Sequence, residues 1–423
     1  MATTLILIVF VIGYVAIAFE HTIQLNKAAS AIITGVICWA IYFFQQANVD
    51  SANAALLHSI GEIASILFFL LGAMTIVELI DSHNGFNIIA QKISTVYLST
   101  LLLLVTTICF FLSAFLDNLT TAIVMTALCS KIIPDKEPKL WFSGMIIMAA
   151  NAGGAWSPLG DVTTTMLWIG GQITALHIIQ QLFLPSLFAC MVPALIIAYL
   201  FKGKKFTAIP FEKPNVYVQK EGKIILTAGI ALLLFVPLFK SVTHLPPFMG
   251  MLLALGFMWI ITTIIHKKKE IDIAEKYSVA TALQKIDSPS ILFFLGILLA
   301  VGALQYVGIL ATLSIFLTNT LHNTYAIGIA LGLLSAVVDN VPLVAATQAM
   351  FSLATYPTDH IFWMFLALTT GTGGSAIIIG SAAGVAVMGI ENINFIWYLK
   401  KITGLALLGF FAGILVFWMQ TMV

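Results

Sequence analysis

Hydrophobic residues in this chain run in long blocks, with polar positions gathered into short stretches between them. Crossing a hydrocarbon core takes about 20 apolar helical residues. On that scale the pattern predicts spans over 3–19, 28–46, 57–80, 139–169, 173–201, 223–240, 248–265, 289–308, 357–390 and 402–421. Two further apolar stretches, 98–131 and 310–354, each carry an Asp-Asn pair midway. Each reads either as two crossings or as a re-entrant hairpin that dips in and returns. The expected fold is therefore an all-α integral membrane protein of about ten transmembrane helices plus two hairpins.

Composition agrees with that pattern. Of 423 residues, 60% are hydrophobic and 9% charged, too apolar for a chain that must cover its own surface in water. All 19 basic residues are Lys. A site built to grip carboxylate or phosphate bidentately recruits Arg, so its absence argues against an anionic substrate. If the stretch from Lys202 to Lys223 is cytoplasmic, alternation with both Asp-Asn stretches as hairpins places every lysine except Lys240 inside, as the positive-inside bias requires. Both termini then lie outside. Cys38, Cys109, Cys129 and Cys190 sit in apolar stretches without metal-type spacing and read as small buried hydrophobes. The N-terminus lacks the basic start and cleavage site of a signal peptide, so 3–19 reads as a span.

The chain repeats itself. "LFFLLG" at 67–72 recurs as "LFFLG" at 292–296, "SAFLDN" at 113–118 as "SAVVDN" at 335–340, the glycine pair at 153–154 at 373–374, and Gly160 as Gly380. Order is kept, at offsets of about 220–225 residues. This predicts a first repeat over 1–201, a cytoplasmic linker over 202–222 and a second repeat over 223–423. With five spans and one hairpin in each, an odd number of crossings inverts the second repeat relative to the first, a construction typical of secondary transporters. Full double crossings would instead give parallel repeats.

An acidic side chain within the membrane costs at least ~2.5 kcal/mol and so marks a functional position. Asp117, Asp161 and Asp339 qualify, each in a mostly uncharged surround. Asn118 and Asn340 add carbonyl oxygens, and Ser113 and Ser335 lie one helical turn before each Asp. The segment from Asn151 to Thr165 breaks a span with paired glycines and Pro158. Asn151, Ser157, Asp161, Thr163 and Thr164 place oxygens around that break. Its counterpart, Gly371 to Ser381, is poorer: Ile377 stands for Ser157 and Ser381 for Asp161, although Ser375 adds a hydroxyl. Hard monovalent cations take such oxygen ligands. The expected Na⁺ site therefore centres on Asp117, Asn151 and Asp161, with Asp339 approaching from the second repeat. Neighbouring carboxylates in low dielectric titrate as a coupled set, so Na⁺ and protons would compete for them. Glu62 is a candidate supporting group; His58, one turn before it and placed to relay protons, reads with Glu78 as interfacial.

At these motifs the chain resembles the NhaD-type Na⁺/H⁺ antiporters of the ion transporter superfamily. "FLDNLTTAIVM", "NAGGAWSPLGDVTTTMLW" and "SAVVDNVPLVAATQAM" carry the resemblance, which spans most of the chain. It implies the hairpin reading, a homodimer in the lipid bilayer with scaffold and transport regions, and elevator-like movement. No cofactor is expected beyond the transported Na⁺ or Li⁺ and H⁺, no nucleic-acid partner, and a location in the inner (plasma) membrane. A dicarboxylate or other anion symporter on the same scaffold is the nearest alternative. Related dicarboxylate transporters carry Ser-Asn-Thr at the tips, where this chain has Asp-Asn. An intramembrane aspartyl protease would need Gly-x-Gly-Asp, but Asp161 follows Pro-Leu-Gly; a zinc protease would need HExxH, which is missing. The chain is thus expected to be a transporter, not an enzyme.

Overall fold

The computed structural model describes residues 2–18, 20–46, 48–90, 95–206, 216–267 and 269–422. Among them the regular elements are all helices. Eight are each long and apolar enough to cross a bilayer: Lys27–Gln45, Val49–Ser82, Leu98–Leu116, Ala175–Leu200, Lys220–Thr243, Pro247–His266, Ser288–Tyr306 and Thr403–Met422. In a bilayer every backbone donor must find a partner within the chain, which helices alone supply segment by segment. The protein is an all-α integral membrane protein. Positions 207–215 of the expected linker, and residue 19 of the first span, lie outside the described residues.

The helices pack as two groups. Ala2–Ala18, Lys27–Gln45, Val49–Ser82, Val216–Thr243, Pro247–His266 and Ser288–Tyr306 form one, with Lys27–Gln45 laid along Ser288–Tyr306 and Val49–Ser82 along Pro247–His266. The second group holds the Asp-Asn segments, the two broken spans and the long helices Ala175–Leu200 and Thr403–Met422, which pack on each other. Lys27–Gln45 and Ser288–Tyr306 approach closely because Gly35 and Gly296 let backbone meet backbone; a Cβ on Gly296 would overlap the main chain at Ala31 and Ile32.

The first Asp-Asn stretch is a helical hairpin, Leu98–Leu116 and Asn118–Ile132, turning at Asp117. Both of its ends face the lysine-rich end of the assembly: Leu98 N donates to Lys204 O at 3.0 Å, and Ser130 bonds the carboxylate of Glu391, just ahead of Lys400 and Lys401. The second differs from the expectation. Residues 310–354 do not form one hairpin, because Ile309–Leu321 is a separate helix stopped by the left-handed His322 (φ 55°). Asn323 then caps a fresh helix, and the hairpin proper is Thr324–Leu334 with Asn340–Met350. Its ends meet Thr421, through the Tyr325 hydroxyl at 2.8 Å, and Gln172, through Gln348 at 2.8 Å. The hairpins therefore enter from opposite ends of the helical assembly. The 57–80 span is also longer than expected, a helix over Val49–Ser82 whose start is capped by Asn48.

Candidate functional site

Four half-helices begin at the middle of the second group. Asn118–Ile132, Val162–Ile169, Asn340–Met350 and Ala382–Glu391 are preceded by Asp117, Asp161, Asp339 and Ser381. Each of those side chains caps its own helix, accepting from Thr120 N, Thr163 N, Val341 N and Gly384 N respectively. Asp and Ser are good N-caps because they satisfy donors the first helical turn leaves free, and a carboxylate there also meets the positive end of the helix dipole. The acids at the site are thus held by the same rule that starts the helices behind them.

The breaks place these caps next to one another. Lys136–Ala155 stops ahead of Pro158, which has no N–H to offer, and Val162–Ile169 resumes after Gly160. The hairpins are stapled to the broken spans by matched hydrogen bonds. Ser113 Oγ donates to Ala150 O at 2.6 Å, and Ser335 Oγ to Thr370 O at 2.8 Å. Matched glycines allow this: a Cβ on Gly153 would collide with the Phe110 carbonyl, and one on Gly373 with the Gly332 carbonyl.

At the centre lies Asp161, 1% exposed. Its Oδ2 accepts from Asn118 Nδ2 at 2.8 Å and from Asn340 Nδ2 at 3.2 Å. Its Oδ1 accepts the Thr163 amide at 2.9 Å. Asn118 Nδ2 also donates to Asn151 Oδ1 at 3.1 Å. Asn151 Nδ2 in turn donates to Ser375 Oγ and Ser381 Oγ, both at 2.9 Å. One buried network thus joins both hairpin tips and both broken spans. Among the described residues, no lysine or histidine forms an ion pair with Asp161.

Other expected residues lie around this centre rather than in it. The Asp117 carboxylate turns to its own helix, taking Thr120 N at 2.8 Å and Thr120 Oγ1 at 2.9 Å, on a backbone of φ 73° that L-residues rarely adopt. Asp339 stands one residue behind the network and caps Val341 at 3.1 Å, while its amide donates to Tyr14 Oη at 3.0 Å. From the second half it is Asn340, not Asp339, that touches Asp161. Ser157 spends its hydroxyl on Ala114 O at 2.6 Å, and Thr164 on Asp161 O at 2.9 Å. The Thr163 side chain is buried beside the Asp161 carboxylate.

Glu62 is distant from this network. Two-thirds exposed, it lies 3.9 Å from His58 and lines a separate cavity of about 430 Å³. Glu78 pairs with Lys285 at 3.6 Å, in keeping with an interfacial role. Two contributors had little sequence signal. Ser381 has signal only as the counterpart of Asp161, and Ser290, which lines the cavity from the first group of helices while its hydroxyl donates to Asp287, has none.

A cavity of about 30 Å³ adjoins Asp117, Asn118, Asp161, Ser290 and Asn340. A water needs about 10–15 Å³ by this measure, so one small ion fits. The oxygens that line it are hard ones: the carboxylates of Asp117 and Asp161 and the amide carbonyls of Asn118 and Asn340. That set suits Na⁺ or Li⁺. A buried carboxylate without a positive partner is costly, and either a bound cation or a proton relieves the cost.

Half-helices meeting around polar side chains, inside a bundle of membrane-spanning helices, define the class: a polytopic membrane transporter. The chain belongs to the family described as citrate transporter, CitMHS, whose model matches residues 5–371. It is also similar to sodium/proton antiporter 1 of Arabidopsis thaliana, 44% identical over 414 residues that cover 96% of this chain and 70% of that protein. Sodium/proton antiporter 2 of the same plant is 42% identical, covering 97% and 98%. The Na⁺/H⁺ antiporter NhaD of Vibrio cholerae is 33% identical over 446 residues, covering 96% and 90%.

Proposed function

We propose that this protein exchanges Na⁺ or Li⁺ for protons across the plasma membrane by alternating access. The observation that carries the reading is the buried Asp161 carboxylate, held by amide donors and uncompensated by any cationic side chain among the described residues. Three relatives named as Na⁺/H⁺ antiporters along most of the chain support it.

The coupling follows from one site with two mutually exclusive occupants. Na⁺ entering beside Asp161 takes the carboxylate oxygens that a proton would otherwise hold, so binding one releases the other. The neutralised site crosses, and the bare carboxylate does not, because moving an unpaired charge through low dielectric is costly. Asn118 and Asn340 present N–H groups to the carboxylate; turning each amide by half a rotation presents its carbonyl oxygen to an ion. Asp117, Asn118, Asn151, Asp161, Thr163 and Asn340 would bind the ion, with Asp339 supporting the second tip. We assign the two halves, 1–201 and 223–423, as inverted repeats, and the group bearing the site as the moving body within each protomer of a homodimer. No cofactor and no enzymatic step enter this scheme.

The family description raises an anion as the alternative cargo, and four helix N-termini at one place would suit one. Here three of the four are already met by carboxylates of the chain itself, and the fourth by a serine. A citrate would meet acids and no Arg or Lys in the network. The test is made in everted vesicles carrying an imposed pH gradient. Adding Na⁺ or Li⁺ should dissipate the gradient; no response at any pH from 6.5 to 9 would refute the exchange reading.

A further inference from the structure

Lys240 is the one lysine that the charge bias leaves on the external side, in an apolar helix where a solvated cation has no evident use. The structure shows what it touches. From Val216–Thr243, in the first group of helices, its Nζ donates to Trp168 O at 2.9 Å and stands 4.8 Å from the centre of the Trp168 ring. Lys240 is half-buried and Trp168 is 1% exposed. Trp168 lies in the last turn of Val162–Ile169, the half-helix whose first turn is capped by Asp161. An ammonium at the carbonyl end of a helix is favoured by the helix dipole, and a cation over an indole face adds to it.

This contact crosses the boundary between the two groups of helices. On the same boundary Phe69 is set edge-on to Trp168 at 6.2 Å. A second polar contact crosses it at Tyr14, from Ala2–Ala18, to the amide of Asp339. The ion-site cavity touches Leu70 and Met74 on Val49–Ser82 and Ser290 and Phe294 on Ser288–Tyr306, toward the ends of those helices where Lys285 sits. The wide cavity touches Ser59 to Ile66 and Leu298 to Gln305 on the same helices, toward the opposite end. So the site is displaced toward the lysine-rich face, with open space behind it, and Lys240 grips the trailing end of the half-helix.

We infer that Lys240 is a positioning residue, a strut that holds the site-bearing half-helix in the arrangement facing the lysine-rich side and must let go when the site crosses. The inference rests on the exchange reading. Sliding Val162–Ile169 along Val216–Thr243 would carry Trp168 O away from the ammonium, so the contact biases one arrangement and touches no ion.

The experiment compares Lys240→Met and Lys240→Arg with the parent protein. Na⁺ half-saturation is measured in everted and in right-side-out vesicles. Loss of a hydrogen bond to a charged group should raise the ratio of the value at the lysine-rich face to that at the opposite face by roughly tenfold; Arg should restore it. An unchanged ratio, or equal shifts at both faces, overturns the strut. Should Lys240→Met fail to reach the membrane, Lys240→Gln is scored by the same ratio. A transport-independent arm labels Ser65→Cys, in the wide cavity, with a charged maleimide; the four native cysteines are buried. Labelling should slow severalfold with Lys240→Met, and an unchanged rate counts against the strut. If the parent protein shows no exchange, that result bears on the function and the labelling still decides the strut.

Discussion

Replacing Asp161 by Asn removes one charge and almost nothing else. Asn is as good an N-cap as Asp, so its Oδ1 keeps the Thr163 amide bond, now 2.9 Å, and Val162–Ile169 still starts where it does. The new amide nitrogen must then face Asn118 Nδ2 and Asn340 Nδ2, at the places where Oδ2 now accepts at 2.8 and 3.2 Å. Those amides can turn to present oxygen, so the fold should survive. The cation loses its charge partner. A pair of unit charges about 4 Å apart is worth about 4 kcal/mol at an effective dielectric of 20, or roughly three decades of affinity. Exchange in vesicles, with Na⁺ added to an imposed pH gradient, should therefore fall below detection at millimolar Na⁺, while the purified variant keeps its elution profile and melting temperature within a few degrees. Exchange with a half-saturation within about threefold of the parent would refute the placement of the site at Asp161.

Three further outcomes follow from neighbouring geometry. Asn118→Ala removes donors to both Asn151 and Asp161, whereas Asn340→Ala removes one longer bond; buried groups left unpaired cost about 1–3 kcal/mol each. The melting temperature should therefore fall more for Asn118→Ala than for Asn340→Ala. Asp117→Asn preserves a cap for Thr120 and should keep the protein folded while weakening Na⁺ affinity; an affinity equal to the parent's would restrict ion binding to Asp161 and its network. Gly153→Ala and Gly373→Ala each drive a methyl into a facing carbonyl and should cost folded yield, read by size-exclusion chromatography, where a change at exposed Gly256, with nothing near it, should not.

The blocks of apolar sequence place most of the helices, and the repeat locates the paired tips and breaks. They were legible because membrane helices must satisfy their own backbone, so their lengths are written locally. Partner choice was not. Ser157 lies as near the break as Asn151, yet its hydroxyl closes on Ala114 O while Asn151 becomes the hub joining both halves. Which of two adjacent residues at a tip points inward depends on the turn: Asp117 caps its helix and Asn118 reaches Asp161, and the same division holds at Asp339 and Asn340. The second hairpin began later than expected because the left-handed turn at His322 and the cap at Asn323 separate two helices that hydropathy alone runs together. Lys240 broke the charge pattern, and its reason appeared only with Trp168 beside it.

Competition of Na⁺ and protons for one buried carboxylate is what the proposed exchange requires. The direct measurement uses purified protein in proteoliposomes with a Na⁺ gradient as the sole driving force. Na⁺ moving one way should drive protons the other, with no citrate required, and the Na⁺ half-saturation should fall as pH rises because fewer protons contest the site. Proton movement that stays absent until citrate is added, or a Na⁺ half-saturation independent of pH, would contradict it.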